Sequence, residues 1–82
     1  MNITSNVVVV FNIYLIFGIE NGEIHILNVH SKQILAKESV CSKNINVILT
    51  DNFNPSIIYV IGKDGKIAKC KVKKIQYQMK II

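Results

Sequence analysis

Shifted against itself by 43 residues, the sequence aligns without gaps over two segments. Tyr14-Leu15-Ile16-Phe17-Gly18-Ile19-Glu20-Asn21-Gly22-Glu23-Ile24-His25-Ile26-Leu27-Asn28-Val29 lies over Ile57-Ile58-Tyr59-Val60-Ile61-Gly62-Lys63-Asp64-Gly65-Lys66-Ile67-Ala68-Lys69-Cys70-Lys71-Val72. Each copy is an apolar run, an Asn/Asp-Gly pair, a charged residue, and a second run ending in Val. A unit of this size cannot bury its apolar faces alone, so repetition implies stacking of like units. Asn-Gly and Asp-Gly tolerate positive φ at both central positions of a two-residue hairpin. Tyr14–Glu20 is therefore expected to pair with Glu23–Val29, and Ile57–Lys63 with Lys66–Val72. Asn21, Gly22, Asp64 and Gly65 are assigned to turn geometry. Valine at either glycine is expected to cost about 1 kcal/mol or more, because β-branched residues fit positive φ badly.

Further strands flank each hairpin. Val7–Phe11 is a β-branched run before the first, and Ile45–Thr50 precedes the second across the turn-rich loop Asp51-Asn52-Phe53-Asn54-Pro55. Gln33–Val40 follows the first hairpin, with a short helix over Lys32–Ser39 as the alternative on propensity. Ile75–Ile82 follows the second and alternates with a period of two. The total is eight strands in two groups of four. Composition agrees: Ile occurs 16 times against four Leu and two Ala among 82 residues, which favours strands over a helical bundle. Half the chain is apolar, enough to form a core.

A period of 43 with four strands per unit falls in the range of β-propeller blades. The chain resembles a degenerate WD-repeat β-propeller over roughly Val7 to Ile82. Gly18-Ile19-Glu20-Asn21-Gly22 followed by Glu23–Val29 matches the family layout, with Leu27 in the Trp place and Asn28 in the Asp place. In the second copy Cys70 and Lys71 hold those places. The Trp-Asp dipeptide itself occurs in neither copy. The resemblance implies an all-β fold of two four-stranded antiparallel sheets, stacked as adjacent blades with the ring not closed. Blade one would cover about 7–40 and blade two about 45–82. Closed propellers need about four to eight blades, so the chain is expected to be part of a longer propeller or to close by self-association. Such propellers generally present loops and rims to protein partners, which implies a non-enzymatic interaction scaffold. The hairpin tips and inter-blade loop then supply the candidate contacts: Glu20, Glu23, Lys43, Asn44, Lys63 and Lys66. The plainer reading of each is a solvated turn residue.

The net charge of +5 is uneven: residues 1–62 carry −1 and residues 63–82 carry +6. Lys69, Lys71 and Lys73 alternate along one expected strand. The Lys63–Lys74 stripe is thus a candidate nucleic-acid or anionic surface, or equally an edge strand protected by charge. Without arginine the chain lacks bidentate phosphate contacts, which weakens the nucleic-acid reading. Cys41 and Cys70 stand alone and His25 and His30 lie five apart, so no metal-site spacing is present. Both cysteines read as small, partly buried apolar residues in a reducing compartment. The 13-residue apolar run Val7–Ile19 is too short for a membrane-spanning helix and lacks a signal sequence's flanks; a cytoplasmic or nuclear location is expected. No nucleophile elbow, phosphate loop or cofactor motif appears, and no enzymatic activity is expected.

Overall fold

The computed structural model describes residues 2–74 and 78–82. Eight strands run in chain order: β1 (Ile3–Val10), β2 (Tyr14–Ile19), β3 (Glu23–Asn28), β4 (Ile34–Ser39), β5 (Ile45–Thr50), β6 (Ile57–Gly62), β7 (Ile67–Val72) and β8 (Met79–Ile81). They form two four-stranded antiparallel sheets ordered β1-β2-β3-β4 and β5-β6-β7-β8. The fold is all-β, as the sequence predicts. The segment with helical propensity is the edge strand β4: pairing of His25 with Lys37 and Ile26 with Ala36 overrides propensity. Strand β1 begins at Ile3, four residues before the apolar run. It ends at Val10 because Phe11 and Asn12 turn at φ 59° and 55°. Of the alternating tail, Ile75, Gln76 and Tyr77 lie outside the described residues.

Both hairpins form where the Gly pairs predict them, but each turn is one residue longer than a two-residue hairpin. Gly18 pairs with Ile24, and Ile61 with Ile67, which centres the turns on Asn21 and Asp64. In the second turn the Gly62 N–H donates to the Lys66 carbonyl (2.9 Å) and the Gly65 N–H to the Gly62 carbonyl (3.0 Å). Only Gly65 has positive φ there, at +86°. This is a type I turn closed by a left-handed glycine, a common three-residue hairpin. In the first turn Asn21 (φ 74°) and Gly22 (φ 78°) are both left-handed, so Glu20–Gly22 is a tight turn and not a helix.

The shifted register decides which side chains share a face. On one face of the first sheet, Val8, Ile16, Ile26 and Ala36 form a row across all four strands, beside Val10, Tyr14, Gly18 and Ile24. That face packs on Ile48, Val60 and Ala68 and on Ile58, Cys70 and Val72 of the second sheet, making one core. At Gly18 the sheets approach closely: a Cβ there would lie 2.3 Å from the Ile45 Cβ.

The sheets are also joined edge to edge. The Asn6 side-chain amide donates to the Ile48 carbonyl and its oxygen accepts from the Ile48 N–H, both at 2.8 Å. Thr4 Oγ1 donates to the Ile45 carbonyl at 2.7 Å. The contacts advance in the same direction along both strands, so β1 and β5 run parallel, with Asn6 standing in for a ladder bond. Asn6→Ala leaves the Ile48 amide and carbonyl without these partners. It should lower stability by about 1–3 kcal/mol, read as a lower urea midpoint with an unchanged m-value.

Candidate functional site

Three loops from both sheets meet at one end of the molecule: the turn Glu20–Gly22, the connector 40–44 and the turn at 63–65. The connector is tied to each turn. The Gly22 carbonyl accepts from the Val40 N–H (2.9 Å) and the Cys41 N–H (3.2 Å). On the other side the Lys63 N–H donates to the Asn44 carbonyl at 2.8 Å. Asp64 Oδ2 accepts from the Ser42 hydroxyl (3.0 Å) and the Ser42 N–H (3.4 Å). Its Oδ1 accepts from the Lys66 N–H at 3.0 Å. Within the connector, Cys41 Sγ donates to the Lys43 carbonyl at 3.0 Å.

These bonds shape an open cleft of about 300 Å³ lined by Asn21, Ser42, Lys43, Asn44 and Lys63. Three of the predicted contact residues, Lys43, Asn44 and Lys63, therefore line one site. The other three do not. Glu20 lies in the turn, its N–H donating to the Asn2 carbonyl at 3.3 Å. Glu23 lies 3.6 Å from Nε2 of His25, on the open face of the first sheet. Lys66 is exposed beyond the second turn.

Asn21 and Asp64 do more than shape turns. Asn21 lines the cleft, and Asp64 straps the connector to the second hairpin. The Lys66 N–H, and after it the Ser42 hydroxyl, hold the Asp64 carboxyl below its usual range. Ser42 lacks any motif in the sequence, and a lone serine between Cys and Lys carries no signal until Asp64 is brought beside it.

The basic stripe divides. Lys63 and Lys66 flank the turn end, whereas Lys69 and Lys71 are exposed along β7, and Lys71 sits directly opposite Lys80 of β8. A cleft of about 470 Å³ is lined by Lys71, Lys73, Gln78, Lys80 and Ile82. Lys74 lies over the Phe11 ring, its Nζ 5.9 Å from the centroid.

Both cysteines are free and buried. Burial, with a smaller contribution from the Glu38 charge, pushes the Cys70 thiol from 9.0 up to about 11. The proton is thus held to higher pH in the folded chain than in the unfolded one. The stability this gives is fully present below about pH 9 and is lost as pH rises towards 11. The loss is at most about 2–3 kcal/mol. The urea midpoint of the wild-type chain should fall more steeply over that interval than that of Cys70→Val.

Among the described residues no three His, Cys, Asp or Glu side chains gather to hold a metal, and no helix is long and apolar enough to cross a membrane. Comparison with protein-family models, curated proteins and solved structures finds no match to this chain.

Proposed function

We propose that the chain is a non-enzymatic protein–protein interaction scaffold of the WD-repeat propeller kind, and that it contacts its partner through the turn end. The observation that carries this reading is the convergence of loops from both sheets on one cleft. Lys43, Asn44 and Lys63 stand there on backbone fixed by the Gly22, Asn44 and Asp64 hydrogen bonds. Loops held by a rigid sheet scaffold are where binding residues concentrate. The propeller reading is supported by two consecutive four-stranded meanders whose first strands, β1 and β5, lie side by side and parallel. A photo-crosslinking residue at Ser42, beside Lys43, should give discrete protein adducts in cells. The same residue at Phe53, which is 97% exposed in the loop before β6, serves as the comparison. Equal labelling from both sites would contradict the assignment.

A second reading rests on the Lys71–Lys80 pair. Like charges directly opposite on neighbouring strands are destabilising, and a bound anion would relieve that repulsion. A basic surface of this kind would bind RNA or another polyanion, with affinity falling steeply as salt rises. A salt titration of binding to a short single-stranded RNA tests it, and absence of binding at low salt would remove it.

A further inference from the structure

The 43-residue repeat relates the two sheets in a specific way. The first sheet uses the face bearing Ile16, Ile24 and Ile26 to meet the second. Those residues correspond to Tyr59, Ile67 and Lys69, which lie on the face of the second sheet turned away from the first. Conversely, the second sheet meets the first with Val60, Ala68 and Cys70. Their counterparts are Phe17, His25 and Leu27, on the face of the first sheet turned away from the second, where Phe17 and His25 are already buried and the exposed apolar surface lies over β1. The units are therefore stacked head to tail, not face to face about a two-fold axis. Each open face belongs to the same class as a face already buried inside the chain.

Both open faces are apolar enough to be covered. Val7 and Val9 are 49% and 47% exposed on the first sheet, and Leu49 and Ile67 are 49% and 65% exposed on the second. Lys69 and Lys71 stand where the first unit has Ile26 and Asn28. Their stems can cover apolar surface while the ammonium groups reach solvent. Ile61 replaces Gly18, so a joint made here is wider than the one inside the chain.

The edge strands differ at the joint. Asn6 directly precedes Val7, the partner of Phe17, and it clamps Ile48 of the next sheet. The register places Val47 at the equivalent position of β5, directly before Ile48 pairs with Val60, so the amide clamp is not repeated there.

We propose that a second copy of this chain docks head to tail, its first sheet covering the open face of the second sheet. Such an interface is heterologous, and rotation about it closes a ring when the angle permits. Two sheets per copy and about four to eight blades per ring give closed assemblies of two to four copies. The proposal rests on the repeat geometry and not on what the turn end binds, so crosslinking at Ser42 can fail without affecting it.

The test uses two double variants at half-exposed positions, where folding should survive: Val7→Glu with Val9→Glu, and Leu49→Glu with Ile67→Glu. Circular dichroism and urea unfolding confirm that each is folded. Sedimentation equilibrium from micromolar to near-millimolar concentration should find the wild-type chain in a discrete assembly of two to four copies. Each double variant alone should be monomeric. Mixed together, they should form a one-to-one dimer, because each retains the face the other has lost. A wild-type monomer throughout the range would overturn the proposal, as would a mixture of the folded variants that stays monomeric.

Discussion

Gly18→Ala is expected to destabilise the chain by about 3 kcal/mol, the upper end of the usual range for overpacking a core. A methyl group at this position would sit 2.3 Å from both the Cβ and the Cγ2 of Ile45, which is fully buried. The branched carbon of Ile45 is fixed to a strand, so relief requires moving β5 away from the first sheet. That movement also stretches the Asn6 clamp on Ile48. A chain of this size has about 4–12 kcal/mol of stability in all, at roughly 0.05–0.15 kcal/mol per residue. The thermal midpoint should fall by on the order of 15 °C. Ile61, the repeat counterpart of Gly18, faces outward, and Ile61→Ala should cost about 1 kcal/mol or less in the single chain. A neutral Gly18→Ala would mean that the sheets do not approach at this point.

Gly22→Val should cost at least about 2 kcal/mol more than Gly65→Val, although the repeat aligns the two glycines. Both sit at positive φ, +78° and +86°, so each valine pays about 1–2 kcal/mol for backbone strain. Space separates them. A Cβ at Gly65 would meet nothing within 4 Å, whereas one at Gly22 would lie 2.0 Å from the carbonyl oxygen of Cys41. The obstruction is backbone and cannot rotate away. Displacing it breaks the Val40 and Cys41 hydrogen bonds to Gly22 and detaches the connector from the first turn. Equal losses in the two variants, measured by urea unfolding, would contradict the packing of the connector.

The strands were legible because they obey local rules. Apolar β-branched runs bounded by Gly, Asn and Asp gave seven of the eight strands nearly in place, and the tail alternation marked the eighth, of which Met79–Ile81 is described. The turn length was not legible. Asn-Gly and Asp-Gly serve a two-residue turn and a three-residue turn alike, and the choice depends on contacts across the repeat. Asp64 is held by Ser42, 22 residues away, and Gly22 by Val40 and Cys41. The same holds for the site. Lys43, Asn44 and Lys63 were picked out as loop tips, but their meeting depends on the connector passing between two hairpins. Asn6 carries no signal in the sequence, because an asparagine before a valine run looks like any strand boundary. Only the parallel approach of β5 turns its amide into a backbone substitute. Glu23 opens β3, as expected, but it stands beside His25 and not at the cleft.

The head-to-tail packing of the two repeat units is tested most directly by proton contacts across the joint. In a chain labelled at its isoleucine methyl groups, the Gly18 Hα should show strong nuclear Overhauser contacts to the methyl groups of Ile45. The Asn6 side-chain amide protons should show contacts to the backbone of Ile48. Contacts from Leu15, Phe17 and Leu27 to the second sheet within a monomer, with none from Gly18 to Ile45, would place the opposite face at the joint and contradict the stacking described.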